Sequence, residues 1–139
     1  CNSVEMSEKQ IVSVYESYGS RKLIHNMLRA YISPSMGEHS IDGIFTSSDH
    51  LAMIVQEELE EMGKRVPEDI QIIGYDGLQF LNQGKPIVSS IAQPVHEIAK
   101  QAVKSLTEMI ENGKAEDVTN IPVMFHEGPT TKPLETISE

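Results

Sequence analysis

One stretch, VPEDIQIIGYD at positions 66–76, constrains the fold more than any other part of the chain. Pro67 cannot continue a helix, and Gly63 just before it is a favourable helix terminator. The isoleucines that follow form a β-branched run, which is typical of a strand covered on both faces in a parallel sheet. Gly74 then permits a turn or the close approach of a ligand. Asp76 is predicted past the carboxyl end of this strand, where open α/β sheets bind their ligands.

Strand and helix patterns alternate along the rest of the chain. Apolar runs predict strands, and apolar residues recurring every three or four positions predict helices. The strands are predicted at 11–15, 43–46, 69–75, 88–92 and 121–126, and the helices at 21–31, 49–62 and 94–111. This order predicts an α/β fold with a mainly parallel, doubly wound sheet. Right-handed crossovers then bring every strand-to-helix loop to one edge of the sheet. The tail after Gly128 is polar.

The composition argues against several classes of protein. The formal net charge is -10, with 21 acidic and 11 basic residues, which disfavours a segment that grips nucleic-acid phosphates. The acidic run Glu57, Glu58, Glu60 and Glu61 is predicted to be a solvated helix face. The single cysteine, Cys1, cannot form an internal disulfide and is compatible with a reducing cytoplasm. No apolar run approaches the roughly 20 residues of a membrane span, so no membrane contact is predicted.

Polar side chains follow three of the predicted strands at one edge of the sheet. Ser48, Asp76 and Gln93 follow the second, third and fourth strands. Their hydroxyl, carboxylate and amide groups can exchange hydrogen bonds with a neutral polyhydroxylated ligand. Each residue also has a purely structural interpretation, which the sequence leaves open. Ser48 would then be a helix cap, Asp76 a turn former and Gln93 a surface residue.

Catalytic and metal-binding patterns have little support. The five histidines are scattered, without HExxH or another metal-ligand spacing, and no phosphate-binding glycine motif is present. Glu16 and Asp76 are two acids at strand ends, but the sequence does not fix their separation. We therefore predict no enzyme activity, no cofactor and no metal site.

Three blocks of the chain resemble bacterial repressors related to the lactose and galactose repressors. They are GIFTSSDHLAM at 43–53, GKRVPEDIQIIGYD at 63–76 and VSSIAQP at 88–94. The GPTT sequence at 128–131 resembles the family's ending and favours the sucrose-repressor branch. The resemblance extends over nearly the whole chain from about residue 11. It implies the C-terminal lobe of a fold like that of the periplasmic binding proteins.

The resemblance implies a cytoplasmic, sugar-responsive transcriptional repressor. Residues 11–92 and 121–128 would form part of the C-terminal lobe of its sugar-binding body, and 94–118 a helix of the N-terminal lobe. The chain does not start with Met, which fits our expectation that the N-terminal lobe and the DNA-binding head are absent from it. Operator DNA would be bound through that head only, which agrees with the acidic charge of this segment.

The resemblance also assigns site and interface residues. The family's sugar contacts fall on Ser48, Asp76 and Gln93, with Ser48 standing where Asn is usual, so a water could bridge to the sugar there. The contacts of a homodimer fall on a separate set: Met53, Ile54, Leu78, Phe80 and Leu81. An apolar cluster in a surface loop independently suggests a partner. The alternative is that Phe80 simply covers the sheet edge.

The helix predicted from residue 94 has an apolar stripe that would lack its partner lobe. The stripe is Ile98, Ala102, Leu106 and Met109. It should either fold back on its own sheet or pack against a second chain, and we favour the second chain because the crossover is short. The strand at 11–15 would likewise be an open edge that invites pairing.

Two other functions remain open at this stage. A periplasmic-type sugar receptor for transport or chemotaxis would share the same fold. A phosphoacceptor receiver domain would need an acidic pair after the first strand and a Lys after the last. Only Glu16 follows Tyr15, and no Lys directly follows Ala92, so the receiver reading is disfavoured.

Overall fold

The computed structural model describes residues 20–32, 41–78, 86–115 and 118–133. Its elements in chain order are α1 (Arg21–Ile32), β1 (Gly43–Phe45), α2 (Asp49–Glu61), β2 (Gln71–Asp76), β3 (Ser89–Ala92), α3 (Val95–Asn112) and β4 (Met124–His126). The chain divides into two compact units, Cys1–Asp42 and Gly43–Glu139. Within the first unit, α1 buries Leu28 and Ile32. The strand predicted at 11–15 lies outside the described residues.

The second unit is built on a four-stranded sheet in the order β1-β2-β3-β4. The two pairs β1–β2 and β2–β3 are parallel, with Ile44 opposite Ile72 and Gly74 opposite Ser90. The β3–β4 pair is antiparallel. The prediction of a mainly parallel sheet is therefore confirmed. Two details differ from it: Asp76 is the last residue of β2 rather than a residue beyond it, and the final strand forms only at Met124–His126.

Helix α2 ends at a left-handed glycine, as the sequence predicted. Gly63 has φ +74°, and its N–H donates to the Glu60 carbonyl at 2.9 Å. The next N–H, that of Lys64, donates to the Leu59 carbonyl at 2.9 Å. This pair of bonds is the Schellman motif, which satisfies carbonyls that the end of a helix leaves without partners.

The apolar face of α2 packs against β2 and forms the core. Val55 and Leu59 on the helix are buried, as is Ile72 on the strand. Burying each such side chain contributes roughly 1.5–3 kcal/mol. The prediction of a solvated acidic face is wrong for Glu58, which is only 4% exposed. Glu58 lies about one helical turn after Val55, at the border of the apolar face that α2 buries.

An exposed ion pair shapes the turn between α2 and β2. Arg65 Nη2 lies 2.6 Å from Asp69 Oδ1, and the Arg65 backbone N–H donates to Asp69 Oδ2 at 2.9 Å. These hydrogen bonds from Arg65 lower the pKa of the Asp69 carboxyl to about 2. The carboxylate therefore stays ionised at neutral pH. Because the pair is exposed, its main effect is on the geometry of the turn.

The GPTT segment, residues 128–131, is tied to the amino ends of β2 and β3. Thr130 is fully buried; its hydroxyl donates to the Ile72 carbonyl at 2.7 Å and accepts from the Ser89 N–H at 2.8 Å. The Ile72 N–H donates in turn to the Thr130 carbonyl at 2.9 Å. Gly128 packs so closely that an added Cβ would lie 2.6 Å from the Val88 carbonyl carbon and oxygen. The tail is polar in sequence, as predicted, and the structure adds that Thr130 is buried within it.

Helix α3 is mostly exposed. None of its 18 residues is buried, and Ile98, Leu106 and Met109 are exposed apolar side chains. The alternative in which this stripe folds back on its own sheet is therefore wrong. Pairing of the stripe with a second chain stays a prediction. Neither α3 nor any other helix within the described ranges is long and apolar enough to cross a membrane.

Candidate functional site

The sheet topology brings the three predicted site residues to one edge. Strands β1, β2 and β3 are parallel, so their carboxyl ends point the same way. Asp76 is the last residue of β2 and lies opposite Ala92, the last residue of β3. Gln93 follows Ala92 directly, and Ser48 comes three residues after the end of β1. This is the edge at which open α/β sheets bind ligands.

Two of the three residues are in direct contact. Gln93 Nε2 donates to Asp76 Oδ1 at 2.7 Å, and the Gln93 backbone N–H donates to the Asp76 carbonyl at 3.3 Å. Both residues are half-buried. An ionised carboxylate can accept about four hydrogen bonds, so this contact leaves acceptor capacity on Asp76. The amide of Gln93 holds the carboxylate in one orientation at a partly solvated edge.

The backbone at Asp76 adopts a conformation that is rare for a residue with a side chain. Its φ is 96°, and Gly77 follows with φ 70°. Asp is one of the few residue types that visit positive φ at all, and the cost is of order 1–3 kcal/mol. Two such residues in succession turn the chain sharply at the end of β2. The Asp76 carboxylate is presented on this turn.

Ser48 adopts the structural role that the sequence left open. Its side-chain oxygen accepts from the Leu51 N–H at 3.2 Å and caps α2. Its carbonyl accepts from the Thr46 hydroxyl at 2.9 Å. The Ser48 hydroxyl can still donate a hydrogen bond to a ligand. Within the described ranges, no hydrogen bond joins Ser48 to the Asp76–Gln93 pair.

A buried carboxylate beside the site was missed by the sequence analysis. Asp49, the first residue of α2, is only 4% exposed. Its Oδ1 accepts from the Ser90 hydroxyl, and its Oδ2 accepts from the Leu78 N–H at 2.9 Å. The Ser90 oxygen accepts from the Gly77 N–H at 3.2 Å. We call these four residues, Asp49, Ser90, Gly77 and Leu78, the Asp49 network.

Gly74 explains how the carboxylate fits beneath β2. A Cβ added at Gly74 would collide with Asp49 Oδ1, and would lie 3.1 Å from the Asp49 Cα. The group that approaches Gly74 closely is therefore the Asp49 side chain rather than a ligand, and no turn forms there. An isolated Gly in a β-branched strand is a signal for close packing. Taken together with an acid at the start of a helix, it could have indicated this network.

The residues assigned to a dimer contact are only partly described. Met53 and Ile54 are half-buried on α2, and Leu78 is 50% exposed. Phe80 and Leu81 lie outside the described residues. Among the described residues, no group of three or more His, Cys, Asp or Glu side chains could hold a metal ion.

Comparison with known proteins identifies the family. The periplasmic binding protein-like domain matches residues 4–131. The chain belongs to this family. The matched range contains Ser48, Asp76 and Gln93, and therefore the whole candidate edge of this periplasmic binding protein-like domain.

Curated relatives of this domain include sugar-operon repressors. The chain is 39% identical over 92 residues to the ribose operon repressor of Bacillus subtilis (strain 168), which covers 66% of this chain and 28% of the relative. It is 30% identical over 101 residues to the sucrose operon repressor of Pediococcus pentosaceus, covering 71% of this chain and 31% of the relative. The chain thus spans less than a third of the length of these two relatives.

Solved structures give the same fold. A LacI family transcriptional regulator from Enterococcus faecium with bound ribose is 30% identical, with a TM-score of 0.58, and the match covers 84% of this chain and 42% of that one. A LacI family regulator from Arthrobacter sp. FB24 in complex with lactose is 25% identical, with a TM-score of 0.64, and the match covers 81% and 41%. The predicted resemblance of this periplasmic binding protein-like domain to lactose- and galactose-repressor relatives is confirmed.

Proposed function

We propose that this chain is the sugar-binding and dimerising part of a cytoplasmic, sugar-responsive transcriptional repressor. The observation that carries the proposal is the hydrogen-bonded Asp76–Gln93 pair at the carboxyl edge of the sheet. It is supported by relatives that are ribose and sucrose operon repressors and by similar structures with bound ribose or lactose. Those relatives favour a repressor over the periplasmic-type receptor with the same fold.

The chemistry of the pair suits a neutral sugar. A sugar hydroxyl can donate to the Asp76 carboxylate in a charge-assisted bond and accept from an amide hydrogen of Gln93. Ser48 can donate a further hydrogen bond from its hydroxyl. The existing bond between Gln93 and Asp76 orients both groups before the sugar arrives, which reduces the ordering cost of binding.

Sugar binding would act on DNA through two states of the whole protein. We assign residues 11–92 and 121–128 to the C-terminal lobe and 94–118 to a helix of the N-terminal lobe. The exposed apolar stripe of α3 supports a covering surface from another part of the protein. A sugar that binds between the two lobes would favour the state in which the lobes are closed around it. That shift would change the affinity of a separate DNA-binding head for its operator.

A sugar panel followed by operator binding tests this function on the full-length protein. Ribose, sucrose and lactose are screened by thermal shift, and the stabilising sugar is then titrated into the protein bound to DNA upstream of its own operon at low salt. We expect one sugar to raise Tm and to change operator affinity. The proposal fails if no sugar raises Tm, or if the protein binds no operator with or without sugar.

The proposed homodimer predicts the effect of a charge at Leu78. This side chain is 50% exposed on a turn next to α2, and placing a carboxylate in an apolar interface costs a desolvation penalty. We expect Leu78→Glu to shift the full-length protein from dimer to monomer in sedimentation velocity at micromolar concentration. Phe80→Glu should do the same.

The matched control for this prediction is Val123→Glu. Val123 is 46% exposed, close to the 50% of Leu78, and lies directly before β4 in the range assigned to the same lobe. It should leave the dimer intact. Dimers that persist in both Leu78→Glu and Phe80→Glu would contradict the assigned interface.

A further inference from the structure

We propose that Asp49 is a positioning residue for sugar binding, one that fixes the turn carrying Asp76 without touching the sugar. The inference rests on the proposed function of Asp76 as the acceptor of sugar hydroxyls. It assigns to a buried carboxylate in α2 a role at the edge of the neighbouring strands.

The turn at Asp76 needs support from its surroundings. Asp76 and Gly77 both have positive φ, at 96° and 70°. A side-chain-bearing residue keeps such a conformation only where neighbouring groups over-determine it. Without that support, Asp76 would relax toward an ordinary extended conformation, and its carboxylate would change direction.

The Asp49 network supplies this support directly. It holds the N–H groups of both residues that follow Asp76. The Leu78 N–H donates to Asp49 Oδ2 at 2.9 Å, and the Gly77 N–H donates to Ser90 Oγ at 3.2 Å. Asp49 also orients Ser90, because the Ser90 hydroxyl hydrogen is donated to Asp49 Oδ1. The lone pairs of the Ser90 oxygen then remain available to accept the Gly77 N–H. Both bonds therefore depend on one carboxylate.

Asp49 is itself fixed by the core. It is the first residue of α2, where the helix dipole favours a negative charge. It sits against the bare backbone of Gly74, and the packed residues Val55 and Leu59 anchor the helix behind it. Asp76 is consequently held from two directions. Gln93 binds its side chain, and the Asp49 network binds the backbone that follows it.

A double-mutant cycle separates positioning from a merely structural role. Sugar Kd is measured by calorimetry on the full-length protein for Asp49→Asn, Asp76→Asn and the double variant, each corrected for its folded fraction. We expect Asp49→Asn to weaken binding by about tenfold or more in the natural background and to have little effect once Asp76 is replaced. Effects that add in full, or a Kd that Asp49→Asn leaves unchanged, would overturn the proposal.

A measurement without sugar distinguishes this inference from the proposed function. Amide hydrogen exchange of residues 76–78 reports the turn directly. We expect exchange there to accelerate by about tenfold or more in Asp49→Asn, as bonded amides become open to water, while Asp42→Asn leaves it unchanged. If the turn responds but the natural protein binds no sugar, the proposed function fails and the backbone role of Asp49 survives. An unresponsive turn in a folded Asp49→Asn protein refutes the inference itself.

Ser90→Ala keeps the test decisive if Asp49→Asn does not fold. It leaves Asp49 and its bond to Leu78 in place, and it removes the two bonds of the Ser90 hydroxyl, one with Gly77 and one with Asp49 Oδ1. We expect a smaller loss of sugar affinity, with faster exchange at Gly77 than at Leu78. Equal sugar affinity and equal exchange in Ser90→Ala and the natural protein would count against the proposal.

Discussion

Replacing Thr130 with valine is expected to lower the free energy of unfolding by about 2–4 kcal/mol, because it leaves two buried backbone groups without partners. Valine keeps the shape of the side chain but has no hydroxyl. The Ile72 carbonyl and the Ser89 N–H, now bonded to that hydroxyl at 2.7 and 2.8 Å, would remain in a fully buried position. Urea unfolding of the full-length protein, followed by circular dichroism, measures the change.

The neighbouring threonine gives a matched control for this prediction. Thr131 makes its hydroxyl contact with Ser89 Oγ at 2.7 Å, but Ser89 also bonds with Gly128. Thr131→Val should therefore cost only about 0.5–1.5 kcal/mol, the net value of one ordinary hydrogen bond. Equal stabilities of the two variants would show that the Thr130 hydroxyl does not tie the strands together.

Replacing Asp76 with glycine is expected to weaken sugar binding by roughly 1.5–3 kcal/mol, or about 10- to 150-fold in Kd. The variant removes the carboxylate that would accept the sugar's hydroxyl hydrogens. Glycine suits the φ of 96° at this position, so relief of backbone strain offsets the greater freedom of the unfolded chain. The fold should therefore persist while binding is lost.

Two companion variants sharpen the test at Asp76. Asp76→Ala should lose the same affinity and also some stability, because alanine is strained at positive φ. Asp42→Gly, at an exposed acid before β1, should leave sugar affinity unchanged. Calorimetry with the sugar selected by thermal shift provides the affinities. If Asp76→Gly binds that sugar as tightly as the natural protein, Asp76 is not the acceptor.

The sequence predicted the sheet well because its signals are local. The isoleucine run of β2 and the left-handed Gly63 each depend on neighbours within a few positions. The strand ends also identified Asp76 and Gln93 as candidates. Their mutual hydrogen bond could not be predicted, because it depends on the register that sets Asp76 opposite Ala92.

The features that were missed depend on distant parts of the chain. Thr130 bonds with Ile72, 58 positions away, and Asp49 with Ser90, 41 positions away. From its neighbours in sequence, Thr130 is only part of a polar tail, and Asp49 is only a residue at the start of a helix. Glu58 was misjudged for a related reason, since an acid at the boundary of a helix stripe is exposed or buried according to what packs beside it. The periodicity of α3 was correct, but periodicity does not say whether a partner is present.

The hydrogen bond between Gln93 and Asp76 lies at the amino end of α3. Gln93 is two residues before Val95, where this helix of 18 residues begins, so the candidate site adjoins the first turn of the helix. At 1.5 Å per residue the helix is about 27 Å long, and a rotation of only about 10° at the Gln93 end would displace its far end by about 5 Å. A small rotation of α3 about the Gln93 end would thus move the far end of the helix by about the length of one helical turn.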